Sequence, residues 1–193
     1  MPSVSCMPSE RQSGRPRDVA RLKLTRPEPT EADVTGTVLA IDPGTAQSGW
    51  CVFNGEEVLF SGVLDNGDLL NVITDDIYCA DTLAIEMISS YGMAVGREVF
   101  ETCVWIGRFK QAWLHPDSVR LVYRRDVKLH LCGTPRAKDA NVRQAVIDLF
   151  PRDGGGKTPQ IGTKAQPGAL YGVTSHAWPA LAVAITVISG LKK

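Results

Sequence analysis

The run VLAIDPGTAQSGW at residues 38–50 constrains this chain more than any other. Residues 38–41 are aliphatic without interruption, which suits a strand buried on both faces of a covered sheet. The strand then finishes on Asp42, followed by Pro43 and Gly44. A carboxylate in such a strand is costly unless it stands at the strand's end or binds something. A second run of the same kind is TLAIEMI at residues 82–88, where Glu86 has apolar neighbours on both sides. Two apolar strands that each deliver one acid point to neighbouring carboxylates in one site. Hard oxygen ligands of this kind suit Mg²⁺ or Mn²⁺. The spacing leaves open a plainer use, in which each acid pairs with a buried arginine or caps a helix.

Periodicity fills in the elements around these two strands. Residues 48–53 and 58–64 read as strands joined by Asn54-Gly55, a hairpin signal because both residues accept positive φ. Residues 68–78 carry Leu69, Val72, Ile73 and Ile77 at helical spacing. A long helix follows over 95–114, then a strand over 119–123 and an amphipathic helix over 137–150. The Gly- and Pro-rich stretch 151–168 reads as a flexible loop. Its GGGKT resembles the tail of a phosphate-binding loop, but the first glycine of that motif would fall on Pro151 and no strand precedes it. An apolar helix over 176–191 closes the chain. The order βββαβαβαα predicts an α/β domain with a central mixed sheet flanked by helices, spanning residues 36–193. Residues 1–35, rich in Pro, Ser, Arg and Glu, read as a disordered extension with no secretory apolar core.

Charge adds a clue about partners. The formal net charge is zero over 193 residues, so the chain is not a simple polyanion binder. Its distribution is uneven: residues 54–101 hold many acids and the single base Arg97, whereas bases dominate 108–164. This predicts a basic face beside an acidic region. The cysteines at 6, 51, 79, 103 and 132 are scattered with no paired spacing, which fits free thiols in a reducing cytoplasm. No apolar run reaches membrane length.

Four stretches taken in order, LAIDPGTAQSGW, LAIEMI, KDANVRQAV and SHAWPALAVAI, resemble the RuvC family of Holliday-junction resolvases, in the manner of its shorter phage-encoded relatives. The likeness runs over residues 38–188. It implies a ribonuclease H-like fold, a homodimer, and two-metal hydrolysis of DNA phosphodiesters at branched structures, with two Mg²⁺ or Mn²⁺ ions per site. It also implies the cytoplasm of a bacterial host. Carried over by position, Asp42 matches the first-strand aspartate that bridges both metals and Glu86 the glutamate of the fourth strand. His176 matches the first of two acidic or imidazole positions on the last helix. The second falls three residues on and is Pro179, which cannot bind a metal but is sterically acceptable in a first helical turn capped by Ser175.

Two readings follow from that departure. Asp42, Glu86 and His176 complete a reduced ligand set with water, with Asp139 as a compensating ligand, or the protein binds junctions without cutting them. The family places basic residues where Lys128, Arg136, Lys138 and Arg143 stand, with Arg124 and Arg125 next, and these are expected to hold DNA backbone. Tyr91 stands where the family can use an aromatic at a branch. The apolar surface of the 95–114 helix exceeds one sheet contact and suits a dimer interface. Flaps, forks and RNA–DNA hybrids are alternative substrates on this fold. A sugar-kinase-like phosphotransferase is disfavoured because a second Gly-rich phosphate hairpin is missing from the sequence.

Overall fold

The structure is a computed structural model and describes residues 36–90, 92 and 94–191. The expected extension at 1–35 lies outside the described residues. Strands β1 (Val38–Asp42), β2 (Gln47–Phe53) and β3 (Val58–Asp65) form an antiparallel meander. Helix α1 (Asn66–Thr74) leads to β4 (Thr82–Met87), which pairs parallel to β1. Helix α2 (Arg97–Ala112) and a 3₁₀ turn at Pro116–Ser118 lead to β5 (Val119–Tyr123), parallel to β4. Three helices follow: α3 (Arg124–Cys132), α4 (Asp139–Asp148) and α5 (Ala177–Leu191). The mixed sheet has the order β3-β2-β1-β4-β5. Among the described residues no helix is long and apolar enough to cross a membrane.

Both faces of the sheet are covered, which is why β1 and β4 are apolar without alternation. Leu39, Ile41, Val52, Leu83 and Ile85 pack with Leu69 and Ile73 of α1 and Ile106 and Phe109 of α2. On the other face Val38, Ala40, Cys51 and Ala84 pack with Val127 of α3, Val142 and Val146 of α4, and α5. Alanines on both the strands and α5 let that helix lie close to the sheet. Asp42 and Glu86 share the strand parity of Ala40 and Ala84, so they belong to the α3–α5 face.

Helix α3 was not expected. Its sequence RRDVKLHLC follows β5 with no turn residue between them. Val127, Leu131 and Cys132 mark its inner face, and its end is set by Gly133 at φ 70°. The stretch 151–168 is also more structured than a flexible loop. Gly154 N–H donates to Pro159 O, Gly155 N–H to Gln166 O and Gly168 N–H to Ile161 O. Gln160 and Leu170 are buried against the core. A Cβ at Gly154, Gly162 or Gly168 would overlap neighbouring backbone, so the glycines permit close folding rather than mobility.

Gly49 couples the sheet to α5. It stands opposite Asp42 in the β1–β2 ladder, and a Cβ there would overlap the backbone carbonyl of His176, just ahead of the helix. Gly49→Ala is therefore expected to lower stability by about 1–3 kcal/mol, the range for overpacking a close-packed interior. A fall in the urea unfolding midpoint with unchanged m-value checks this.

Candidate active site

The parallel register sets the first two side chains. Ile41 is opposite Ile85, so Asp42 and Glu86 follow as neighbours at the carboxyl ends of β1 and β4. That is where open α/β sheets bind ligands. Both carboxyls are largely withdrawn from solvent, with 22% and 13% of their side chains exposed. Burial pushes the Asp42 carboxyl above its ordinary value, against the pull of His176 and Arg124. Burial pushes Glu86 up to about 7, with Arg124 pulling it down and the charge of Asp42 pushing it further up.

The chain leaving β1 is held by two buried polar residues that sequence reasoning missed. Ser48 Oγ–H donates to Asn66 Oδ1 at 2.6 Å, and Ser48 Oγ accepts the Gly44 N–H at 3.3 Å. Asn66 donates from its side chain to Gly44 O and from its backbone to Ala46 O. These bonds fix the turn beyond Asp42. The DNG at residues 65–67 reads as a turn in sequence, which hides the buried role of Asn66.

His176 sits in a tight turn before α5, closed by the Ala177 N–H to Thr174 O bond of 2.9 Å. Ser175, within that turn, has φ 43°, a left-handed conformation that costs a non-glycine residue about 1 kcal/mol or more. The turn brings His176 Nδ1 to 3.4 Å from Asp42 Oδ2. The imidazole remains largely open to solvent. Pro179 lies in the first turn of α5 and offers no donor atom. Among the described residues, no three His, Cys, Asp or Glu side chains are grouped tightly enough to enclose a metal ion. Asp42 and Glu86, with the imidazole of His176 beside Asp42, offer oxygen and nitrogen donors of the types that divalent cations take.

Arg124 is the second centre of the cluster. Its Nη1 is 3.4 Å from Glu86 Oε2 and its Nη2 is 2.8 Å from Asp139 Oδ1. Lys128, one turn further along α3, places Nζ 3.3 Å from the same Asp139 oxygen. The hydrogen bond from Arg124 holds the Asp139 carboxyl below its usual range. Arg124 and Lys128 are thus drawn into the acidic cluster, whereas Arg125, Arg136, Lys138 and Arg143 are exposed. The Arg143 guanidinium lies 4.7 Å from the centroid of the Trp178 ring. A cleft of about 760 Å³ runs from Arg124 and Asp139 past Arg143, Trp178 and Pro179. Tyr91 lies outside the described residues.

No family model matches the sequence. No curated protein matches it either. Solved structures do. Thermus thermophilus RuvC superposes with a TM-score of 0.59 at 19% identity, over 80% of this chain and 95% of that one. T. thermophilus RuvC in complex with a Holliday junction substrate gives a TM-score of 0.59 at 18% identity, over 81% and 96%. The mixed five-stranded sheet, its helical layers on both faces and this superposition together give the chain the ribonuclease H-like fold of RuvC.

Proposed function

We propose that this protein is a divalent-cation-dependent endonuclease that cuts branched DNA of the Holliday-junction kind. One observation carries the reading: half-buried Asp42 and Glu86 at adjacent strand ends, with His176 Nδ1 3.4 Å from Asp42, on a RuvC fold. A neighbour of that fold was determined with a Holliday junction substrate, which supports the choice of DNA. Asp42, Glu86 and His176 are the residues to hold Mg²⁺ or Mn²⁺. The bound ion supplies Lewis-acid polarisation of the scissile phosphate and activation of water. The fixed turn after Asp42 and the turn before α5 keep the ligands in register. Exposed Arg125, Arg136, Lys138 and Arg143 hold the DNA backbone on the open side of the site.

The decisive assay is cleavage of a labelled four-way junction in Mg²⁺ or Mn²⁺. Asp42→Asn and Glu86→Gln are each expected to reduce the rate by about 100-fold or more, the scale of losing an electrostatic stabiliser of the transition state. Junction binding should persist in both. Pro179 favours a second reading, a junction-binding protein that does not cut. Wild-type binding without cleavage in either metal would select it.

The backbone contacts are expected to show in salt dependence. Arg136→Ala and Lys138→Ala should each reduce the log–log slope of junction affinity against salt by about 0.9 if each residue meets one phosphate. A slope equal to wild type removes that residue from the interface.

We further propose a homodimer formed through α2. Phe100 and Val104 are one helical turn apart and both are exposed, whereas Thr102, Ile106 and Phe109 face the core. Two sites related by a two-fold axis suit symmetric cutting of a four-way junction. Val104→Asp should convert dimer to monomer in analytical ultracentrifugation while changing monomer stability by only about 0.5 kcal/mol, as at other exposed positions.

A further inference from the structure

We infer that residues 19–26 of this chain dock on the free edge of β3 as a further, antiparallel strand of the sheet. The inference stands apart from the nuclease reading. Among the described residues β3 pairs with β2 on one side and has no strand on the other. An edge strand carries outward N–H and C=O groups that template another strand, and proteins commonly blunt such an edge with lysine, proline or a bulge. β3 has one bulge near its start, where Leu59 is extra to the ladder, but no lysine, arginine or proline over its eight residues. Its surface is apolar as well. Leu59 and Phe60 are exposed, and so is Ile77 just beyond α1. The Phe60 ring lies 4.8 Å from that of Tyr78, which stacks on Trp50 at 5.1 Å, so the patch rests on an aromatic stack.

Charge selects the occupant. Glu56 and Glu57 precede β3, Asp65 ends it, and Asp68, Asp75 and Asp76 follow along α1 and its end. Among the described residues none of Glu56, Glu57, Asp68, Asp75 and Asp76 is in a salt bridge. The opposite edge strand, β5, holds Arg120 and runs into Arg124 and Arg125. An acidic edge attracts a basic strand, and a cationic edge repels it. The sequence VARLKLTR at 19–26 lies outside the described residues and suits the acidic edge. Apolar Ala20, Leu22 and Leu24 alternate with polar Arg21, Lys23 and Thr25, and the stretch has three bases and no acid. Reach and polarity agree. Val38, Phe53 and Val58 stand in one row, so the chain enters β1 at the end where β3 begins, two strand spacings or about 10 Å away. Residues 27–35 can span up to about 30 Å. A segment leading into Gly36 therefore brings its carboxyl end beside the start of β3, which is the antiparallel sense. A segment with few apolar residues of its own orders on a surface that supplies the missing contacts, and the edge beside Phe60 supplies them.

The test is hydrogen–deuterium exchange of the full-length protein, read by mass spectrometry over β3 and, for comparison, β1, β4 and β5. The outward amides of β3 are expected to exchange about tenfold or more slowly in wild type than in Leu22→Asp/Leu24→Asp, with β1 and β4 unchanged as the sign that the fold is intact. Arg21→Glu/Lys23→Glu is expected to speed the same amides, with a smaller effect at high salt. Both double variants lie outside the packed layers, so neither removes a core contact. Equal β3 exchange in wild type and either variant overturns the inference. A response confined to β5 overturns it too, because it places the segment on the other edge. Protection of β3 that falls on dilution assigns the edge to a second copy of the chain and likewise overturns it. Each of these outcomes leaves junction cleavage and its metal dependence to be judged separately.

Discussion

Parallel pairing of β1 with β4 is the constraint from which the site follows. With Ile41 opposite Ile85, the acids one residue further on are side by side and face the same layer of helices. A slip of one residue would turn Glu86 toward the α1–α2 layer and separate the pair. Such a slip is opposed along the whole length of both strands. Each apolar residue from Val38 to Ile41 and from Leu83 to Ile85 is buried on one face or the other, and all would change sides together. The unfavourable burial of two carboxyls is therefore offset by a register that the core fixes. The raised values of Asp42 and Glu86 record that tension, and Arg124 relieves part of it.

The third side chain is positioned by steric fit. His176 has no strand to hold it and stands in a turn that forces Ser175 into a left-handed conformation. Its carbonyl rests on Gly49, where any larger residue would intrude, and Gly49 is itself opposite Asp42 in the ladder. The same contact that lets α5 approach the sheet thus delivers the imidazole to the aspartate. Alanines at 177, 180, 182 and 184, all buried, maintain that approach along the helix.

Legibility in the sequence tracked how local each signal was. The five strands were readable because they are short, largely apolar runs, β1 to β4 closed by turn residues, and α1, α2, α4 and α5 because their apolar positions repeat over several turns. Asp42 and Glu86 stood out against apolar flanks. His176 has no such contrast, and only the family resemblance marked it. Helix α3 was hidden because charged residues fill its first turn and Tyr123 passes into Arg124 without a break. The glycines at 154, 162 and 168 suggested flexibility, yet they serve close backbone contacts that exist only once the chain is folded. The bridge from Arg124 to Glu86 and Asp139 was illegible for the same reason. It needs β4, α3 and α4 side by side, and no spacing along the chain announces that.

The hidden helix also changes what the basic half of the sequence means. Twelve bases lie between residues 108 and 164, and their distribution suggested a basic face beside an acidic region. The helical period of α3 divides them instead. Arg124 and Lys128, four residues apart, share the side that meets Glu86 and Asp139, while Arg125 is left exposed. Bases paired with carboxylates contribute little to steering a polyanion from a distance, because their fields are largely cancelled by partners within 4 Å. They act locally, offsetting the negative charge of Glu86 and Asp139 within the cluster. Arg125, Arg136, Lys138 and Arg143 are by contrast exposed, with Arg143 lying over the Trp178 ring. A neutral overall charge is compatible with such a division, since paired charges in the cluster and exposed bases outside it sum to zero net charge with the acids elsewhere.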